Sequence, residues 1–299
     1  MPQRVPRAGA VAILTAAVLL LPAALSAEAA NTDLVARGAY LADAAGCANC
    51  HTDSAHGGQP YAGGLALATP FGTFYSPNIT PDPDTGIGRW TDAQFLRALR
   101  DGVGPDGANY FPVFPYTSFT GIVDEDARAI KAYLFSLKPV RQPSRPNEVS
   151  FPFSWRFLQN FWKWLFFTRG PFRPDPEASA AENRGAYLVT ALAHCGECHT
   201  PRNFLGGIEK SRWLAGAPSP EPGGKRAPNI TPDPNTGIGN WSVDDIVTLL
   251  TDGHTPDFDE VGAPMSAVVK DTARLTEEDR RAIAAYLKSV PPKTSAERK

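Results

Sequence analysis

Cys-x-x-Cys-His occurs twice in this chain, as Cys47-Ala48-Asn49-Cys50-His51 and as Cys195-Gly196-Glu197-Cys198-His199, and the two pentapeptides hold all four cysteines. A Cys-x-x-Cys pair followed directly by His is the attachment signature of a c-type haem: two thioethers fix the macrocycle, and the adjacent imidazole becomes the proximal iron ligand. The expectation is therefore two haem c groups, one on Cys47 and Cys50 with His51, the other on Cys195 and Cys198 with His199. Zinc would use all four sulfurs or add a second histidine pair, and a thioredoxin-like dithiol has no need of a following His twice.

The motif is one block of a longer duplication. Arg37-Gly38-Ala39-Tyr40-Leu41 returns as Arg184-Gly185-Ala186-Tyr187-Leu188, and the run from Asn78 to Trp90 returns from Asn229 to Trp241. Ala132-Tyr133-Leu134 returns as Ala285-Tyr286-Leu287. Small insertions accumulate while the order holds, as in a duplicated domain rather than a solenoid. Each copy reads as a small helical domain. Its first helix carries Arg-Gly-Ala-Tyr-Leu, where Gly38 and Gly185 suit a close helix crossing. Its second runs from Thr91 to Arg100 or from Ser242 to Thr251, with Thr91 and Gln94 at capping-box spacing and Gly102 or Gly253 past the end. Its last starts near Asp124 or Thr276, with Ile130, Leu134 and Leu137, or Ile283 and Leu287, on one face. No segment alternates convincingly as a strand, so the predicted fold is all-α: two tandem class I-like cytochrome c domains with long Gly/Pro-rich loops, each around one covalent haem. The predicted domains are 31–140 and 182–291, with a polar tail at 292–299.

Residues 1–29 read as a secretory signal: Arg4 and Arg7 precede an uncharged run from Ala8 to Ala27. Cleavage fits after Ala29 or after Ser26, and retention as a single anchor is the alternative. Export to the periplasm agrees with thioether-linked haem. The whole chain carries a net charge of −2 and shows no basic patch of the nucleic-acid-binding kind. The linker, 141–181, is of another character: Phe151 to Phe172 contains ten aromatics in 22 residues. Either these pack between the domains or over a haem edge, or they form a docking surface for a partner protein or a membrane interface.

A haem held by one His takes a second axial ligand or keeps an open site. Past the signal the chain has one methionine, Met265, 12 residues after Gly253, and it is the candidate distal ligand of the second haem. The same count from Gly102 reaches Phe114, which cannot ligate iron. The first haem is then five-coordinate, or recruits Tyr110, Tyr116, Asn109 or His56. His254 and His194 read as surface or propionate-side residues. Trp90 and Trp241 are candidates either for a propionate contact or for closing the haem crevice. Pro201, with Thr52-Asp53 as its counterpart, is the candidate source of a carbonyl facing the proximal imidazole.

Thr69-Pro70-Phe71-Gly72, the twin Asn-Ile-Thr-Pro-Asp-Pro loops, Pro115-Tyr116, the aromatic linker and His194 to Asn203 together resemble the cytochrome c subunits of bacterial alcohol, gluconate, sorbitol and aldehyde dehydrogenases. The resemblance implies an electron-transfer subunit, not itself catalytic, that takes electrons from a dehydrogenase and passes them to a cytochrome, an oxidase or the respiratory chain. Relatives often carry three haems and a C-terminal membrane segment, and their first domain has Met in a Pro-x-Met-Pro-Tyr setting where this chain has Phe114. The alternatives are a haem enzyme of the thiosulfate dehydrogenase or peroxidase type, or a ligand sensor, using the first haem.

Overall fold

Two glycines set how each copy closes. The computed structural model describes residues 31–219 and 224–295, so the predicted signal lies outside the described residues. In the first copy, helix α1 (31–44) crosses α5 (Asp124–Ser136) so closely that a Cβ on Gly38 would sit 1.9 Å from the Ala129 carbonyl oxygen. In the second copy, α7 (Ala180–Tyr187) crosses α11 (Glu277–Ser289), and a Cβ on Gly185 would sit 1.9 Å from the Ala282 carbonyl. Any side chain at either position would force the helices apart.

Between these crossing pairs lie a short helix on each Cys-x-x-Cys-His motif, α2 (Cys47–His51) and α8 (Gly196–His199), and a capped helix, α3 (Asp92–Asp101) or α9 (Val243–Asp252). The caps behave as their sequences require. Thr91 with Gln94 and Ser242 with Asp245 each close a full capping box, and Gly102 and Gly253 end the helices at φ 59° and 78°, where a Cβ is strained. The remaining helices are α4 (Tyr116–Phe119), α6 (Leu158–Phe166) in the linker and α10 (Met265–Thr272), and a π-helical turn, Leu188–Leu192, prolongs α7.

The all-α expectation needs one correction. Three short antiparallel strands, β1 (Ala66–Thr69), β2 (Gly72–Tyr75) and β3 (Glu148–Val149), form a small sheet in the order β1-β2-β3, with Pro70 and Phe71 as a two-residue turn. Ala66-Leu67-Ala68-Thr69 has no apolar/polar alternation to announce it. The sheet depends on contact instead: at Gly72 (φ 129°) a Cβ would lie 2.2 Å from the Glu148 carbonyl, so glycine admits the linker strand.

One continuous core runs through both copies, joining Leu41, Ile122 and Ile130 to Leu188, Leu192 and Ile283. Charged and phenolic side chains lock it reciprocally. Arg37 donates to Asp126 of its own copy through Nε at 3.0 Å, and Tyr187 of the other copy donates to the second oxygen of the same carboxylate at 2.7 Å. Arg184 likewise donates to Asp279 at 2.7 Å, and Tyr40 donates across to Asp279 at 2.6 Å. Each tyrosine oxygen also accepts a backbone N–H at the start of the opposite copy's last helix, from Val123 at 3.3 Å for Tyr187 and from Thr276 at 3.2 Å for Tyr40. The repeated Arg-Gly-Ala-Tyr-Leu is thus a close helix crossing and half of a domain interlock at once.

Burial pushes the Asp279 carboxyl up, but the hydrogen bonds from Arg184 and Tyr40 outweigh it and leave it below its ordinary value. Its stabilising contribution is therefore present at neutral pH and is lost as pH falls below about 4. Tyr187→Phe, which strips a hydrogen bond from the Asp126 carboxylate, itself 1% exposed, is expected to cost about 1–3 kcal/mol. Guanidinium unfolding of the haem-loaded protein measures this. Tyr40→Phe should cost a similar amount at pH 7 and less at pH 3.

Candidate haem-attachment sites

The proximal side of each site is built by a tightly bonded loop. In the first copy the Asn78 side-chain oxygen accepts from the N–H and hydroxyl of Thr80, and its amide donates to Thr85 and to the Val140 carbonyl. Asp82 closes the rest by accepting from the N–H and hydroxyl of Thr85. Asn229, Thr231, Thr236 and Asp233 repeat these bonds, with the Lys293 carbonyl in place of Val140. Asn78, Thr80, Asn229 and Thr231 are all buried, so the loop is held from within by satisfied polar groups.

That rigidity is spent on one carbonyl in each copy. Pro77, immediately before Asn78, accepts from His51 Nδ1 at 2.7 Å, and Pro228, immediately before Asn229, accepts from His199 Nδ1 at 2.8 Å. A carbonyl only accepts, so Nδ1 must carry the proton, and Nε2 of each neutral imidazole keeps its lone pair for a metal. Burial pulls both imidazoles below their ordinary pKa, which favours that neutral ligand form. The expected carbonyl donors are corrected here. Pro201's carbonyl is taken by the Glu209 N–H and that of Asp53 by Gly58 and His56, so neither is on the imidazole. The missed signal was a proline preceding each Asn-Ile-Thr-Pro-Asp-Pro loop.

The thiols complete the donor set. None of the four cysteines is in a disulfide. Burial pushes Cys47 and Cys195 up to about 12, the opposite of the depressed pKa of a reactive dithiol. Among the described residues no group of three or more His, Cys, Asp or Glu is arranged to hold a bare metal ion. Two neutral thiols beside an imidazole with a free Nε2 fit covalent haem.

Each motif helix is also docked on the opposite copy. Asn49 donates to Asp271 on α10 at 2.6 Å, while Glu197, its counterpart, accepts from Thr117 and Ser118 on α4 at 2.8 and 2.7 Å. Cys50 and Cys198 are near enough for the charge of one to raise the pKa of the other. Both attachment sites therefore sit at the interface between the copies.

Trp90 and Trp241 pack against the common core, as do Met265 and Phe114. His254 faces Glu260 at 3.5 Å, whereas His194 is tucked between the copies with its ring 5.4 Å from that of Phe119, not on the surface. The aromatic linker divides. Trp162 donates to the Leu205 carbonyl and stacks edge-on to Tyr116, while Phe151, Phe157, Phe161 and Trp164 are 61–76% exposed.

The family model for cytochrome c matches residues 35–138 and 183–291, which includes both motifs. The chain belongs to the cytochrome c family. Haem c is the cofactor of that family, and the donor sets above are where this cytochrome would hold it. The cytochrome is 47% identical to a diheme cytochrome c-type protein of Cereibacter sphaeroides over 264 residues, 87% of each chain. It is 44% identical to the cytochrome subunit of fructose dehydrogenase from Gluconobacter japonicus over 89% of its own length, and 39% identical to the cytochrome c subunit of gluconate 2-dehydrogenase from Pantoea cypripedii over 92%. It spans 54% and 64% of those two relatives' own lengths.

Asn229→Ala should loosen the Pro228 carbonyl and weaken its hold on His199. A ligating imidazole that loses this bond becomes less basic and favours the oxidised iron less. The expected outcome in a spectroelectrochemical titration is an upward shift of one haem's potential, with the other unmoved.

Proposed function

We propose that this cytochrome is a periplasmic dihaem electron carrier, with one haem on Cys47, Cys50 and His51 and a second on Cys195, Cys198 and His199, closed by Met265. The observation that carries the reading is the pair of matched donor sets, each with its His Nδ1 held by a proline carbonyl and its motif helix docked on the opposite copy. When bound, haem supplies a reversible one-electron couple. The chain's part is to fix the imidazoles, exclude water through the shared core and hold the two sites close. Trp90 and Trp241 close the crevices. The donor is a dehydrogenase and the acceptor a further cytochrome or oxidase, a reading supported by relatives whose names are those of dehydrogenase subunits.

The haem-loaded protein should show two haems per chain in its pyridine haemochrome spectrum and take up two electrons in coulometric titration. Cys195→Ala with Cys198→Ala should keep one of each. Turnover with thiosulfate or hydrogen peroxide at enzymatic rates would overturn the carrier reading.

The linker gives this carrier a place to rest. α6 divides its aromatic side chains between the protein and the solvent. Trp162 and Phe166 face inward with two polar side chains: Gln159 is buried, and Lys163 donates to the Asp101 and Gly102 carbonyls at 2.6 and 3.0 Å. Burial lowers the Lys163 pKa to about 8. Phe157, Phe161 and Trp164 face outward, and the stretch 138–173 carries seven Lys and Arg against the single acid Glu148 in a chain that is net acidic. No helix among the described residues is long and apolar enough to cross a membrane. An exposed aromatic face with a basic surround fits an anionic lipid surface on which α6 lies flat. The protein should co-sediment with phosphatidylglycerol-containing vesicles. Phe161→Ser with Trp164→Ser should reduce the bound fraction at least tenfold, and equal binding by the variant would remove this assignment.

A further inference from the structure

The two copies part at one residue in the loop after the capped helix, Met265 in one and Phe114 in the other. In the second copy the loop after α9 folds back so that the Val261 N–H donates to the Gly253 carbonyl at 2.9 Å and His254 bridges Glu260, and it leads into Met265 at the start of α10. In the first copy the Tyr110 N–H donates to the Gly102 carbonyl at 2.7 Å and Val103 bridges Asn109. Glycine, bridge and returning amide all correspond at one constant spacing, and that spacing carried on sets Met265 against Phe114, while the helix that follows begins at Met265 in one copy and at Tyr116 in the other. The Phe114 ring stands edge-on to Tyr110 at 5.9 Å and to Phe119 at 5.6 Å.

Of the other donors of the first copy, two are engaged by side chains and two are tyrosines packed through their rings. His56 is 82% exposed at its side chain and pairs with Asp53 at 2.8 Å. Asn109 is held by Lys163 at 2.7 Å and by Asn160 at 2.8 Å. Tyr116 is wholly buried, its ring held against Trp162 and Phe167 with the Lys163 ammonium over its face, and its hydroxyl has no hydrogen-bond partner. Tyr110 spends its ring on Phe114, and the Arg156 guanidinium lies on it at 5.7 Å. The one methionine among the described residues belongs to the second copy.

We propose that the haem on Cys47, Cys50 and His51 has no protein ligand on its distal face, and that this face, beside Phe114 and Phe119, binds a small neutral diatomic ligand. The proposal rests on the two-haem reading above. Phe114 and Phe119 carry no polar group, and the nearest polar ring is the His194 imidazole, edge-on to Phe119 at 5.4 Å, so a neutral diatomic enters at less desolvation cost than an anion. Met265 closes the second haem against the same ligand.

Carbon monoxide titrated into the dithionite-reduced, haem-loaded protein tests this by its Soret absorbance. One CO per two haems is expected. Phe114→Met should abolish the uptake while both haems stay attached, and Met265→Ala should raise it to two CO per chain. A parent protein with two haems and no CO uptake overturns the open site and leaves the two-haem reading intact. One haem per chain overturns that reading instead. CO uptake unchanged by Phe114→Met overturns the assignment to the first haem.

Discussion

The hydrogen bond from each proximal histidine to a proline carbonyl is the constraint around which the rest of each copy is arranged. It settles which ring nitrogen is protonated, and so which one faces a metal. A carbonyl can do this only if its own position is fixed, and a bare loop would not fix it. The buried Asn–Thr–Asp network supplies the rigidity, and it is tied down by the chain leaving the last helix, at Val140 in one copy and Lys293 in the other. The last helix is placed in turn by its crossing at Gly38 or Gly185. A chain of short-range contacts thus leads from a missing Cβ to an imidazole proton.

The interface carries the same logic between copies. Asp126 and Asp279 are buried carboxylates, which would be costly alone. Each is satisfied by an arginine of its own copy and a tyrosine of the other, so neither copy's carboxylate is fully bonded unless the two are docked. Because the pairing is reciprocal, it also fixes the rotation of one copy on the other. That rotation brings Asn49 to Asp271 and Glu197 to Thr117 and Ser118, and so sets the spacing of the two motifs.

What the sequence disclosed and what it withheld divide by range. Capping boxes at Thr91 and Ser242, and the stops at Gly102 and Gly253, are decided within a few residues and were legible in the residues themselves. So were the duplication and the Cys-x-x-Cys-His donors. Tyr40 and Tyr187 were visible only as members of a repeat, because their partners lie 239 and 61 residues away in the other copy. Pro77 and Pro228 were hidden for another reason: a backbone carbonyl has no side-chain signature, and the proline nearest in sequence to His199 was the wrong one. The sheet escaped notice because β1 and β2 are held by Gly72 and a two-residue β3 rather than by alternation. The linker was legible as aromatic but its division was not, since the inward face of α6 takes Trp162 and Phe166 together with Gln159 and Lys163 and leaves Phe161 and Trp164 outside.

Duplication also explains how the two sites came to differ at so little structural cost. The bonded loop, the glycine crossing and the last helix position each histidine from within its own copy, while the motif helix is docked on α10 or α4 of the other. The loop that ends at Met265 or Phe114 enters from α9 or α3 and is held by its own backbone bridge in each copy, whether or not its last side chain is a donor. Phe114 replaces a flexible thioether by a ring that packs on Tyr110 and Phe119, so the first copy keeps its apolar contacts while losing its sulfur. A loop closed by its own backbone bridge can exchange its last side chain and leave the fold of each copy as it was.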